Sequence, residues 1–261
     1  MDAGIAFLMY HELELPGREL CQSDPGYTRY IVAASEFERQ MRHLKGLGYE
    51  GTSVGRAIQF GGGRKVALTF DDGCETDLIA AAPVLTALGF GATFYATLGF
   101  LGKRGYMAEA QLRELRGAGF EIGCHSMTHP YLSDLDSIGL RREMIDAKSQ
   151  LEQIIGQQVD HFSCPGGRFD DRVIETAKRA GYRTLATSET HLNFKSGNLF
   201  SLGRIAVLSH TTKDELAGIC AGQGFWKLNA RQSLQSGAKR LLGNRLYDRL
   251  RAVLLGDPAA K

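Results

Sequence analysis

The chain reads as an α/β protein built on one parallel sheet, and three observations predict it. From about residue 64 to residue 188, short β-rich runs alternate with helical patterns, as strand–helix–strand crossovers do. The helical patterns stop at Gly89, Gly156 and Gly181, where a left-handed residue closes a helix at least cost. With 261 residues, 43% of them hydrophobic, the chain can bury one sizeable core, and α/β barrels of this length form a single domain.

The elements run in order along the chain. The run from Gly4 to Tyr10 is apolar throughout and reads as a buried strand. A loop leads to Pro25-Gly26, then a helix near Phe37 to Leu47. Lys65 to Phe70 is a strand, Asp77 to Leu88 a helix, and Gly91 to Thr97 the next strand. Gln111 to Arg116 reads as helix and Phe120 to Cys124 as strand. A longer helix comes next, with Ser133 as N-cap, Asp136 as its box partner, and Ile138, Met144, Ile145, Leu151, Ile154 and Ile155 at helical spacing. Phe162 to Cys164 is a strand end, Asp171 to Ala180 a helix, and Tyr182 to Thr187 a further strand. Residues 1–225 make the barrel domain, and 226–261 a basic helical extension.

Composition excludes some functions. A net charge of +2 is too small for a nucleic-acid partner, which a dense basic surface normally announces. No apolar run reaches the roughly 20 residues that span a bilayer. The start, Met1-Asp2-Ala3-Gly4, lacks the basic residues of a secretory signal, so a cytoplasmic location is expected. Five cysteines without a CxxC pair argue against a disulfide framework or a zinc–thiolate site, and Cys74 and Cys124 are assigned to packing.

The chemistry concentrates at two strand ends. Lys65 to Phe70 runs into Asp71-Asp72-Gly73, placing adjacent carboxylates where α/β folds build active sites. Neighbouring side chains diverge, so one acid can bind a metal while the other faces the attacking water. His125 and His129 begin at the end of another strand. Their spacing of four puts both imidazoles on one face of a helical turn. Singly, each pattern is ordinary loop or surface chemistry; together they deliver three N/O ligands to one sheet edge, which suits an open catalytic metal site.

Thr69-Phe70-Asp71-Asp72-Gly73 and His125-Ser126-Met127-Thr128-His129, with Gly91-Ala92-Thr93-Phe94-Tyr95 between them, resemble the TFDDG and H(S/T)xxH motifs of the polysaccharide deacetylases. These are the family 4 carbohydrate esterases, which share the NodB homology domain. The resemblance covers residues 60 to 190 and implies a distorted (β/α) barrel. It makes Asp71 the catalytic base and Asp72, His125 and His129 the ligands of one divalent ion: zinc first, then cobalt, nickel or manganese. It further implies hydrolysis of N-acetyl, or less readily O-acetyl, groups on a glycan or lipid-linked saccharide, in exopolysaccharide or cell-surface polysaccharide synthesis. Tyr10, Tyr131, Pro165, Gly166 and Arg168 are candidates for the substrate groove, with Asn193 and Trp226 as weaker ones.

Two departures stand out. The family's third motif carries an arginine that orients the catalytic aspartate, and its place here is held by Ser163, in Ser163-Cys164-Pro165-Gly166-Gly167-Arg168. Arg168 is the candidate to reach that acid instead. The resemblance implies a general acid that is a histidine at an apolar strand end, and two positions fit: His11, which resembles members with permuted motif order, and His210 in Leu208-Ser209-His210. His11 is preferred because its strand is the more continuous.

At the C-terminus, Lys227, Arg231, Lys239, Arg240, Arg245, Arg249 and Arg251 alternate with leucines. Such a helix suits an anionic membrane surface, here the inner face, or packing against the barrel or a second subunit. Two other functions compete: a metal-dependent amide hydrolase on a non-sugar substrate, and an inactive carbohydrate-binding relative.

Overall fold

In the computed structural model, residues 4–60 and 63–225 are described. Among these residues the ten strands are β1 (Ala6–Tyr10), β2 (Leu13–Glu14), β3 (Val32–Ala33), β4 (Glu50–Thr52), β5 (Lys65–Phe70), β6 (Thr93–Ala96), β7 (Glu121–Cys124), β8 (His161–Ser163), β9 (Thr184–Ala186) and β10 (Ile205–Ala206). Eight of them form one parallel sheet in the order β10-β1-β5-β6-β7-β8-β9, with β4 paired to the first half of β5. β2 and β3 make a separate parallel pair. The sheet curls back on itself. A parallel bridge joins Ala186 at the end of β9 to Leu202, and three residues later Ile205 pairs with Leu8 of β1. The result is a distorted (β/α) barrel.

Strand alternation splits the core into two layers. Ala6, Leu8 and Tyr10 of β1, with Val66, Leu68 and Phe70 of β5, pack against Phe37, Met41 and Leu44 of the helix Ala34–Gly46. The opposite face carries Ile5, Phe7, Ala67, Tyr95, Ala186 and Leu202 in a smaller cluster. Because side chains alternate every residue, the face a strand-end residue serves is set by its parity. Two neighbours at a strand end therefore go to different layers.

Helix starts differ from the expected ones where local geometry intervenes. The helix at Asp77 begins with a wide turn, Asp77–Ala81, and becomes regular only at Ala82–Leu88, because Pro83 has no N–H to give. Ser133 is not the cap of the long helix: Leu132–Asp134 is a single tight turn, and Asp136 caps the next segment by accepting from the Gly139 N–H at 2.8 Å. Glu50–Thr52, the helix Val54–Phe60, Ile205–Ala206 and the helix Lys213–Cys220 are additions to the expected elements. The strands among them are too short to show alternation. The C-terminal extension at 226–261, Trp226 included, lies outside the described residues. Among the described residues no helix is long and apolar enough to cross a membrane.

Candidate metal and catalytic site

The site forms where β1, β5, β7 and β8 end and where the chain enters β10. β5 hands over to Asp71, whose N–H still donates to the Tyr10 carbonyl at 3.0 Å, extending the ladder with β1 by one bond. At Asp72 the backbone turns sharply, with φ 79°. A non-glycine residue in that region costs of order 1–3 kcal/mol, and such strain is characteristic of sites where a side chain must be aimed.

His125 and His129 converge, but not on a helix. Residues 125–130 form a loop, with Ser126 at φ 71° and His129 at φ 66°. Glu143, from the neighbouring helical segment, holds this loop by accepting from the Met127 N–H (3.0 Å), the Thr128 N–H (2.7 Å) and the Thr128 hydroxyl (2.8 Å). Ser126 Oγ accepts from the His129 N–H at 2.9 Å. The rings end 4.9 Å apart.

Asp72, His125 and His129 present one ligand atom each, all within 4.8 Å of one another. Asp72 Oδ1 lies 3.6 Å from His125 Nε2 and 3.4 Å from His129 Nε2. It is buried without a hydrogen-bond partner, which is the signature expected of an atom that serves a cation. His125 Nδ1 is 2.8 Å from the Ser163 carbonyl, an acceptor, so Nδ1 carries the proton and Nε2 keeps its lone pair for a metal. Burial, the largest influence, pushes the His125 pKa down to about 4 despite the Asp71 carboxylate, keeping the ring neutral as a ligand must be. These three residues fit a divalent ion.

Asp71 is paired by a residue that the sequence reading missed. Arg204 grips it with both ends of its guanidinium, Nη1 to Oδ1 at 2.7 Å and Nη2 to Oδ2 at 2.9 Å. Arg204 is only 1% exposed. Its Nε donates to the Thr187 carbonyl at 2.9 Å and its Nη2 to Ser163 Oγ at 2.7 Å, so Ser163 completes the clamp rather than leaving a gap in it. Burial alone would raise the Asp71 pKa; the charge and hydrogen bonds of Arg204, with His125, override it and hold the carboxyl well below its usual range. Tyr95 backs the clamp, its ring 5.6 Å from the guanidinium, and lies against Gly123, where a Cβ would come within 2.3 Å of that ring.

Arg168 does not reach Asp71. Its guanidinium sits over the Tyr131 ring at 3.6 Å, beside Gly166, whose left-handed φ of 60° and close approach to Tyr131 leave no room for a side chain. Tyr131, Gly166 and Arg168 therefore form one local unit, with Pro165 buried beneath it. Tyr10 cannot contact substrate. Its parity sends it to the helical side, where it is fully buried and its hydroxyl donates to Gln40 at 2.9 Å. Asn193 is likewise spent internally, exchanging hydrogen bonds with the Gly203 backbone.

His11 has the opposite parity from Tyr10 and faces the site. Burial, chiefly, lowers its pKa; the charges of Asp72 and Asp71 oppose that, and those of Arg204 and His129 add to it, which places His11 among these groups. Its buried Nδ1 has no hydrogen-bond partner. His210 is exposed, in the turn beyond β10.

Comparison with known proteins adds an independent line. The family model described as polysaccharide deacetylase matches residues 60–185. YxkH of Bacillus subtilis (strain 168) is 28% identical over 211 residues, covering 78% of this chain and 72% of that protein. A peptidoglycan-N-acetylglucosamine deacetylase of Bacillus cereus is 35% identical over 125 residues, 47% of this chain and 56% of that protein. Among solved structures, the Streptococcus pyogenes deacetylase PplD in complex with acetate superposes with a TM-score of 0.72 at 25% identity, over 83% of this chain and 98% of PplD.

Proposed function

We propose that this chain removes N-acetyl groups from a glycan or lipid-linked saccharide of cell-surface polysaccharide synthesis, a reading supported by the polysaccharide deacetylase family model that matches residues 60–185. The observation that carries this reading is the pairing of an Asp-His-His metal set with an adjacent carboxylate, Asp71, that is clamped and ionised. The Bacillus cereus relative named for N-acetylglucosamine and the PplD complex with acetate point to the same sugar and the same product.

Asp72, His125 and His129 would hold the ion, zinc being the natural choice for this donor set. When bound, it supplies the positive charge that polarises the amide carbonyl and acidifies the attacking water, which suits a base whose own proton affinity has been lowered by Arg204. Asp71 accepts the water's proton, held in one orientation by the two-pronged guanidinium so that its free lone pairs keep their aim. His11 gives a proton to the departing amine nitrogen. Its side of β1 and the charges of Asp71 and Asp72 acting on it support this role, as does the exposure of His210. Tyr131 and Arg168, stacked on each other, remain the candidates to meet a sugar ring.

The deciding experiment measures acetate release from N-acetylglucosamine oligomers after chelation and after zinc or cobalt is restored. Metal-dependent release supports the reading. A chain that binds the ion yet releases acetate only from non-sugar amides would replace the saccharide with another amide.

A further inference from the structure

A second cluster of ligating groups lies beside the first and takes no part in it. Glu12, one residue past His11, Cys21, in the loop between β2 and β3, and Cys74, two residues past Asp72, bring one oxygen and two sulfurs within 4.8 Å of one another. Glu12 and Cys74 are buried and Cys21 half-buried. We propose that Glu12, Cys21 and Cys74 form a second metal site, for a thiophilic divalent ion of the zinc class, distinct from Asp72, His125 and His129.

The sulfur spacing is the first argument. Cys21 Sγ and Cys74 Sγ are 3.8 Å apart. Two thiolates on a tetrahedral zinc, each at ~2.3 Å, stand about 3.8 Å from each other. A disulfide would need ~2.05 Å. A carboxylate oxygen is the third donor: Glu12 accepts from the Cys21 N–H (3.1 and 2.9 Å) and from the Tyr27 hydroxyl (3.0 Å), which also lies 3.6 Å from Cys74 Sγ.

The second argument is an unpartnered buried carboxyl beside the cluster. Asp77 is fully buried and neither of its carboxylate oxygens has a hydrogen-bond partner. Its backbone N–H donates to the Cys74 carbonyl at 3.0 Å, which sets it beside the cluster, and burial first, then Asp72 and Cys21, hold its pKa well above the usual carboxylate range. Among the described residues, the hydrogen bonds to Glu12 come from the Cys21 N–H and the Tyr27 hydroxyl rather than from a lysine or arginine. The cluster thus has an unpartnered buried carboxyl beside it, while the nearby Arg18 is taken by Glu75. The Gly105 backbone closes over Cys21 so tightly that a Cβ would come 2.6 Å from its sulfur, which fixes the thiol's position.

Binding exchanges two thiol protons, released to solvent, for two metal–sulfur bonds, with no change of oxidation state. The ion would tie the Cys21 loop to the segment that carries Asp71 and Asp72.

The test loads the metal-stripped, phosphine-reduced full chain with cobalt(II) and reads the near-ultraviolet thiolate-to-cobalt charge-transfer band. The Asp-His-His set holds no sulfur, so the band reports only the new site, and its failure is separate from a failure of acetate release. A band in wild type and in His129→Ala is expected. It should vanish in Cys21→Ser and Cys74→Ser, with one equivalent of cobalt fewer bound. No band in the reduced wild-type chain, or a band that survives in both cysteine variants, would overturn the proposal. So would a reduced chain without the band that forms a Cys21–Cys74 disulfide on peroxide treatment, since the pair would then be a redox couple.

Discussion

Asp71 and Arg204 show how much one buried pair decides. A guanidinium that is 1% exposed has left water, and the carboxylate it grips repays that only while both are present. Arg204→Met should therefore lower the urea-unfolding stability by about 3–5 kcal/mol, and reduce turnover as well, because Asp71 loses both its orientation and its charge partner. A variant as stable and as active as wild type would remove Arg204 from the site. His125 gives a pH signature. Its folded pKa of about 4 lies below the unfolded value near 6.5, so between those values the unfolded chain binds more protons. The metal-free chain should lose stability progressively as pH falls from about 6.5 toward about 4, with nothing lost from this group at higher pH. In calorimetry, His125→Gln, whose amide can still donate to the Ser163 carbonyl, should flatten that limb. An unchanged limb would assign it to other groups.

Among the elements, the 125–130 loop does the work that the histidine spacing assigns to a helical turn. The four-residue spacing is compatible with either, but three hydrogen bonds to Glu143 select the loop and hold His129 in a left-handed conformation. Glu143 therefore supports a candidate metal ligand through the loop backbone. Glu143→Ala should weaken zinc binding about 10- to 100-fold, as removal of such supporting partners does. Titration calorimetry on the chelated chain would measure it, and an unaltered affinity would show that the loop holds itself. β10 teaches the same lesson from the other side. Two residues long, it has no readable periodicity, yet its pairing with β1 draws Arg204 against Asp71. One signal was present: an arginine opens the otherwise apolar run Ile205-Ala206-Val207, where a charge has no reason to sit unless it meets another.

For the molecule as a whole, an ion that binds only the folded chain must stabilise it by mass action, by about 2.7 kcal/mol at a hundredfold excess over its dissociation constant. Thermal midpoints should rise with zinc concentration and fall on chelation, and His129→Ala should blunt the response; a midpoint indifferent to metal would contradict the site. What the sequence determined by itself was local. Glycine stops, capping acids, apolar strands and two motifs at strand ends define the α/β class, the Asp-His-His set and the position of Asp71, because backbone propensity and side-chain chemistry act over a few residues. What only the tertiary structure decided was every relation across distance. Strand parity buries Tyr10 and turns His11 to the site; the curl of the sheet, bridged by Ala186 and Leu202, carries Arg204 to the acid that Ser163 could not hold alone. Arg168, five residues from Ser163, is turned away onto Tyr131, while Arg204, forty-one residues from Ser163, makes the contact. Pairing between strands far apart in the chain leaves no trace in the residues between them, so the odd arginine before an apolar run marks Arg204 as needing a partner while only the closed barrel makes that partner Asp71.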